Sequence, residues 1–238
     1  MASIKLTPPF HFYPISIDKG GTIVWIDVPI YTWGEYDKYK TQGFGESLLD
    51  YTKYGIIAHN GEDHSAPLGT SIFPMHDGLV TWVSTDDYSL GHGVQVTSQD
   101  EKYRTRYWHM KKGSIAVQIW DKVTINTKIG EVNSTGNSTG NHLHSDLKEL
   151  ENGRVKNNDN GYFGAVDFSQ WKVDRGEEDM KLVQKKGENK VYLVTGGVRL
   201  WVLDPHTRDT LNTDVVEGDP YEDTIYGGAI GVFNPDEQ

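Results

Sequence analysis

Short runs in which apolar and polar residues alternate recur along the chain, separated by breaks rich in Gly, Asn and Asp. An alternation of period two puts successive side chains on opposite faces of a strand. The pattern predicts a strand over residues 22–28, after a turn at Gly20 and Gly21. It predicts strands over 71–74 and 79–83, joined as a hairpin by Asp77 and Gly78. Val94 and Val96 alternate with polar neighbours, 99–102 forms a loop, and 103–109 returns with Tyr103, Thr105, Tyr107 and His109 on one face. Residues 117–129 read as two short strands about a turn at Asp121 and Lys122. Late in the chain, 190–194 and 198–203 flank Thr195, Gly196 and Gly197 as another hairpin.

These elements describe a mostly β protein built from antiparallel strands with few helices. Pro8, Pro9 and Pro14 keep the start irregular, so residues 1–40 read as an N-terminal arm packed on the main domain. A pro-segment that blocks the site is the other reading of that arm. The main domain spans 41–172, and a polar, acidic stretch over 171–179 serves as linker. A small β-rich module over 181–238 suits binding or docking.

Composition narrows the chemistry. The chain has 238 residues, enough for one medium domain and an accessory piece, and its aromatic content suits a folded core. A net charge of −11 argues against nucleic acid as the main partner, because phosphate binding needs a basic stripe. No apolar run approaches a membrane span, so membrane insertion is not expected. The first residues lack a basic region followed by an apolar core, so no secretory signal is read there. With no cysteine, disulfides and thiolate metal sites are excluded.

The chemistry concentrates in the stretch 136–147, where a turn-rich loop runs into His142, Leu143 and His144. On a strand His142 and His144 share a face, with Asp146 beyond them, and Leu143 and Leu147 face the other way. Two imidazoles held side by side can bind a metal, move protons, or do both. Upstream, His59 and Asp63 would lie about 13 Å apart on a straight strand. A bend at Asn60 and Gly61 would bring them within reach of one ion, whereas a surface turn with a capping Asp is the reading these residues favour when taken alone. His109 ends its strand and matters only if that end meets the His142 and His144 face. His11, His64, His76 and His206 read as exposed residues. Three nitrogen or oxygen ligands with an open position describe a catalytic zinc site. A two-His, one-carboxylate set also suits ferrous iron.

The ordered set Gln42-Gly43-Phe44-Gly45, His59-Asn60-Gly61-Glu62-Asp63, Ala66-Pro67-Leu68-Gly69-Thr70, Asp77-Gly78-Leu79-Val80, Tyr107-Trp108-His109-Met110 and Ser138-Thr139-Gly140-Asn141-His142-Leu143-His144 resembles the lysostaphin/LytM-type zinc metallopeptidases over roughly residues 40–170. The resemblance implies hydrolysis of peptide bonds in bacterial peptidoglycan. It implies one zinc ion on His59, Asp63 and His144, with His109 and His142 as the catalytic, non-ligand histidines. Tyr54 is a possible match to a tyrosine that some members place in the site. Two positions depart from the pattern: Glu62 stands where an apolar residue is usual, and Ser145 where an aromatic is usual.

A different class of function fits the same pattern: a non-catalytic wall-binding or structural component, for example of a phage particle, with other particle proteins as partners. Delivery by a phage particle, or outside the cell by a non-classical route, suits the acidic charge and the extra module.

Overall fold

Val94, Val96, Thr105, Tyr107, Leu143 and Leu147 are fully buried on one face of a single antiparallel sheet. Burying that face is the dominant favourable term in forming the sheet. The computed structural model describes residues 4–19 and 21–175, and beyond them four strands within 180–217. The chain divides into two compact units, Met1–Arg175 and Gly176–Gln238.

In chain order, β1 (Phe12–Lys19) and β2 (Thr22–Pro29) form a separate antiparallel ribbon. One helical turn, α1 (Trp33–Tyr36), follows; Thr32 Oγ1 accepts from the Glu35 amide, and the Glu35 carboxylate accepts from the Tyr31 and Thr32 amides. Such a reciprocal cap satisfies amides the turn leaves unpaired. Then come β3 (Lys40–Gln42), β4 (Glu62–Ser65), β5 (Ser71–Ile72), β6 (Gly78–Thr85), β7 (His92–Ser98) and β8 (Tyr103–Met110). The first unit ends with β9 (Lys122–Val123), β10 (Gly130–Glu131), β11 (His142–Glu151), β12 (Arg154–Val155) and β13 (Ala165–Val166). The main sheet runs β3-β4-β11-β8-β7-β6-β9, with β12 and β13 also on β11. β11, the longest strand, thus lies between β4 and β8 and can join residues from both.

The segment before β3 supplies one wall of the core. Leu6, Phe10, Ile30, Trp33 and Tyr36 are buried in the same cluster as Ile72, Val94, Tyr107 and Leu147. The Trp33 indole N–H donates to the Leu6 carbonyl at 2.9 Å, and Tyr36 stacks on His64 of β4.

Two sequence expectations fail for identifiable reasons. Asp77 and Gly78 do not join a hairpin, because β5 pairs with β10 while β6 pairs with β7 and β9. Met75, fully buried, breaks the run, and its amide donates to the Tyr107 hydroxyl at 2.7 Å. Within 117–129 only β9 forms; the rest is turn and irregular chain, with Trp120 at a φ of 79°.

Nor are His11, His64 and His76 exposed: they lie at 2%, 0% and 5% accessibility. His11 stacks on Phe73, His64 faces Asp37, and His76 bonds to Thr105 Oγ1. His206 lies outside the described residues.

In the second unit β14 (Met180–Gln184), β15 (Val191–Thr195), β16 (Val198–Val202) and β17 (Val215–Glu217) form a sheet in the order β16-β15-β14-β17. β15 and β16 are the antiparallel pair expected from sequence, and β17 runs parallel to β14.

Candidate metal centre

β4 and β11 pair so that Asp63 lies opposite His144. Leu143 and Leu147 fill the core, so His142, His144 and Asp146 face the other side, as the alternation predicts. The chain turns at Asn60 and Gly61 and delivers His59 to the same place. Gly61 is needed there: a Cβ would lie 2.4 Å from the Ser145 carbonyl oxygen and 2.7 Å from the His144 ring.

Three donor atoms converge. His59 Nε2 lies 2.9 Å from His144 Nδ1 and 3.2 Å from Asp63 Oδ1, and His144 Nδ1 lies 2.9 Å from that same oxygen. Ligands about 2.0–2.1 Å from a tetrahedral ion stand about 3.3 Å apart, so the triangle has the right size. The outer nitrogens are tied down as well. His59 Nδ1 donates to the Gly43 carbonyl at 3.0 Å, and His144 Nε2 faces Asp146 Oδ2 at 3.5 Å. Each ring therefore turns a lone pair inward. Two such lone pairs and a carboxylate at these distances require a positive charge between them, and the donor set fits a metal ion.

The electrostatics of the metal-free site agree. Burial raises the Asp63 carboxyl, but hydrogen bonds from His144 and His59 outweigh it and hold the group far below the usual range. Burial likewise disfavours charged His144, yet Asp146 and Asp63 raise that ring to about 9.

His109 and His142 stand beside the triangle, their ring centroids 4.6 Å apart. His109 Nδ1 bonds to the Thr135 carbonyl at 2.7 Å and His142 Nδ1 to the Gly140 carbonyl at 2.8 Å, and His142 Nε2 lies 3.7 Å from Asp63 Oδ2. Burial, with His142 and His144 nearby, pushes His109 down to about 3.

His109 reaches this side only through a break in alternation. The sequence reading put it on the buried face of Tyr107. In the structure β8 carries one residue more than β7 between the pairs His92–Met110 and Val94–Tyr107, and His109 has a φ of 62°. This bulge sends Trp108 and His109 both away from the core. Gly93 opposite makes room, since a Cβ there would lie 2.3 Å from the Trp108 ring.

Tyr51 is the tyrosine nearest His59, at 5.8 Å between ring centroids, and its hydroxyl donates to Gln42 at 2.8 Å. Tyr54 is 42% exposed and lies beyond Tyr51. Behind the metal triangle, Glu62 accepts from Lys40 at 3.0 Å and Lys172 at 2.9 Å. Those partners account for an acid at a position that is usually apolar. Asp37, Glu62 and His64 form another group of metal-binding residue types, but the two lysines already supply their positive charge.

Sequence reading named Asp146 but not its role, and missed its partner Arg106. The Arg106 guanidinium grips that carboxylate with Nε at 2.8 and 2.9 Å and Nη2 at 2.8 Å. The signal was there: Asp146 lies two residues beyond His144 on the same strand face.

A mostly β unit with a buried His/Asp/His triangle and two further imidazoles beside it has the makings of a metallopeptidase. Residues 57–158 match the model of Peptidase family M23. The chain is similar to an uncharacterized metalloprotease of Buchnera aphidicola, 40% identical over 90 residues, which are 37% of this chain and 23% of that protein. It is also similar to a peptidoglycan DD-endopeptidase of Vibrio cholerae, 36% identical over 92 residues, covering 39% of this chain and 20% of the other. The catalytic domain of a prophage-encoded M23 protein from Enterococcus faecalis is 33% identical, with 50% of this chain and 88% of that one covered at a TM-score of 0.41. The chain thus spans under a quarter of the length of these two curated relatives.

Proposed function

We propose that the M23 domain is a zinc-dependent endopeptidase that hydrolyses peptide bonds in bacterial peptidoglycan. The observation that carries this reading is the convergence of His59 Nε2, Asp63 Oδ1 and His144 Nδ1 within 3.2 Å, beside two imidazoles whose Nδ1 atoms are held by backbone carbonyls. His59, Asp63 and His144 hold the ion. Bound there, zinc supplies a Lewis acid for the scissile carbonyl and lowers the pKa of water towards neutrality. His109 and His142 move the protons. With Nδ1 fixed on a carbonyl, each presents Nε2 as acceptor when neutral and as donor when charged. One accepts the water's proton, and the other steadies the developing oxyanion or protonates the leaving amine. The similar Vibrio cholerae protein, named for cleavage of peptidoglycan, supports the choice of substrate.

Mass spectrometry of the soluble products from purified sacculi tests the reading. New peptide amino-termini that vanish with a chelator and return with zinc are expected. Sacculi of several wall types left intact by zinc-loaded protein would refute it.

A further inference from the structure

The face of the sheet that carries the metal triangle continues along β11 and β8 into a cluster of cations. His144, Asp146 and Lys148 alternate on β11, and Arg104 and Arg106 stand opposite Lys148 and Asp146 on β8. Their neighbours Thr105 and Leu147 fill the core, so these charged side chains share the metal's side of the sheet. Asp146 is the carboxylate among them, and Arg106 and His144 already take it up. Lys148 is 6% exposed and donates to the Phe163 carbonyl, a neutral acceptor. Among the described residues Arg104 has neither an ion pair nor a side-chain hydrogen bond, and its Nε is buried without a partner.

Buried donors without partners are costly, and like charges side by side more so. The cations feel each other: burial, then Arg106, pushes Lys148 down to about 8, and burial with Arg106 lowers Arg104. In a chain of net charge −11 this local positive excess is out of character. The cluster has one carboxylate, Asp146, for Arg104, Arg106 and Lys148. A guanidinium fork fits a carboxylate in both shape and charge.

We propose that Arg104, backed by Lys148, binds a free carboxylate of the peptide substrate. This rests on the endopeptidase reading and deepens it by naming the class of peptide the site prefers. Lys148 lies four residues along the strand from His144, about 13 Å. An extended peptide covers about 3.3–3.6 Å per residue, so the carboxylate sits about four residues from the bond that is cut. The same carboxylate relieves the repulsion between Arg104 and Lys148, which gives the free acid an advantage over its amide.

The test uses the full chain carrying His142→Ala, loaded with zinc, and calorimetric titration. The probes are soluble cross-linked muropeptides with their carboxylates either free or converted to carboxamides. The free acids are expected to bind about tenfold or more tightly than the amides. Arg104→Gln in the same background is expected to bring the acids down to the affinity of the amides. Arg104→Lys keeps the charge and is expected to retain part of the preference, which separates lost charge from damaged packing. Equal binding of acids and amides overturns the proposal, as does no binding of either, or a loss in Arg104→Gln that is the same for both. Hydrolysis of sacculi by the unaltered chain is measured separately. Sacculi cut by a protein that does not prefer acids overturn the carboxylate site and leave the peptidase reading standing, whereas intact sacculi overturn the peptidase reading itself.

Discussion

Asp146 Oδ2 lies 3.5 Å from His144 Nε2, on the far side of the ring from Nδ1, which faces Asp63. One carboxylate thus fixes which nitrogen of His144 points into the metal centre, and Arg106 fixes the carboxylate. Asp146→Asn is expected to weaken metal binding about 10–100-fold, the usual cost of losing such a partner. Competition against a chelating dye measures this, and unchanged affinity in a folded variant would dismiss the role.

The two kinds of histidine separate on mutation. His144→Ala is expected to lose both metal and hydrolysis. His142→Ala is expected to keep one equivalent of metal and lose at least about 100-fold in rate, a typical contribution for a positioned acid or base. Metal content by elemental analysis, set beside a hydrolysis assay, distinguishes them; full activity in His142→Ala would sink the assignment.

Gly93 makes the bulge possible that carries His109. Gly93→Ala drives a methyl into the Trp108 ring and the Tyr107 carbonyl, 2.3 and 2.6 Å from the new atom. A cost of about 1–3 kcal/mol in stability is expected. Activity should fall further than stability explains, because His109 is re-aimed. Urea unfolding and an assay well below the unfolding transition check both, and a stable, fully active variant would contradict the account.

Glu62 is 5% exposed between Lys40 and Lys172. Glu62→Ala leaves both ammonium groups with Asp37 alone, at 3.3 Å from each, and a loss of about 2 kcal/mol is expected. A version with Glu62, Lys40 and Lys172 all made apolar should recover much of it. If the single variant unfolds at the same urea concentration as the unaltered chain, the network is ornamental.

Acid should destabilise the metal-free protein before its carboxylates titrate. Burial, aided by Arg175, holds His11 well below the ordinary range, and burial lowers His76 too. The unfolded chain takes up protons on these residues near pH 6.5, whereas the folded chain does not. Their contribution is therefore present above about pH 6.5 and lost as pH falls towards the folded values. His144, raised to about 9, works the other way, because the folded chain already holds the proton that the unfolded chain gains near pH 6.5, and it offsets part of the loss. Thermal midpoints that fall between about pH 7 and 5, with a shallower slope in His76→Asn, are expected; a flat profile would rule this out.

How much of this was legible in the sequence depends on how local each cause is. Strand alternation placed His142, His144 and Asp146 on one face because that rule needs only neighbours in the chain. It misplaced His109, because the bulge is set by Gly93 and Trp108 on two paired strands. The bend at Asn60 and Gly61 was readable from turn chemistry. The hairpin at Asp77 and Gly78 misled for the opposite reason: those turn residues were real, but the partner of β5 lies in β10, far along the chain. Buried His11, His64 and His76 depend on partners in other elements, which no local pattern announces.

Leu6, Phe10, Ile30, Trp33 and Tyr36 sit in one core with Tyr107 and Leu147, and this has a practical side. The stretch that matches the family model, 57–158, is not a portable module. Cut out alone, it would bare the apolar surface those side chains cover and take the Tyr36 ring off His64 in β4, next door to Asp63. A chimaera or a trimmed reagent built on this unit has to carry residues 4–175 as its cargo.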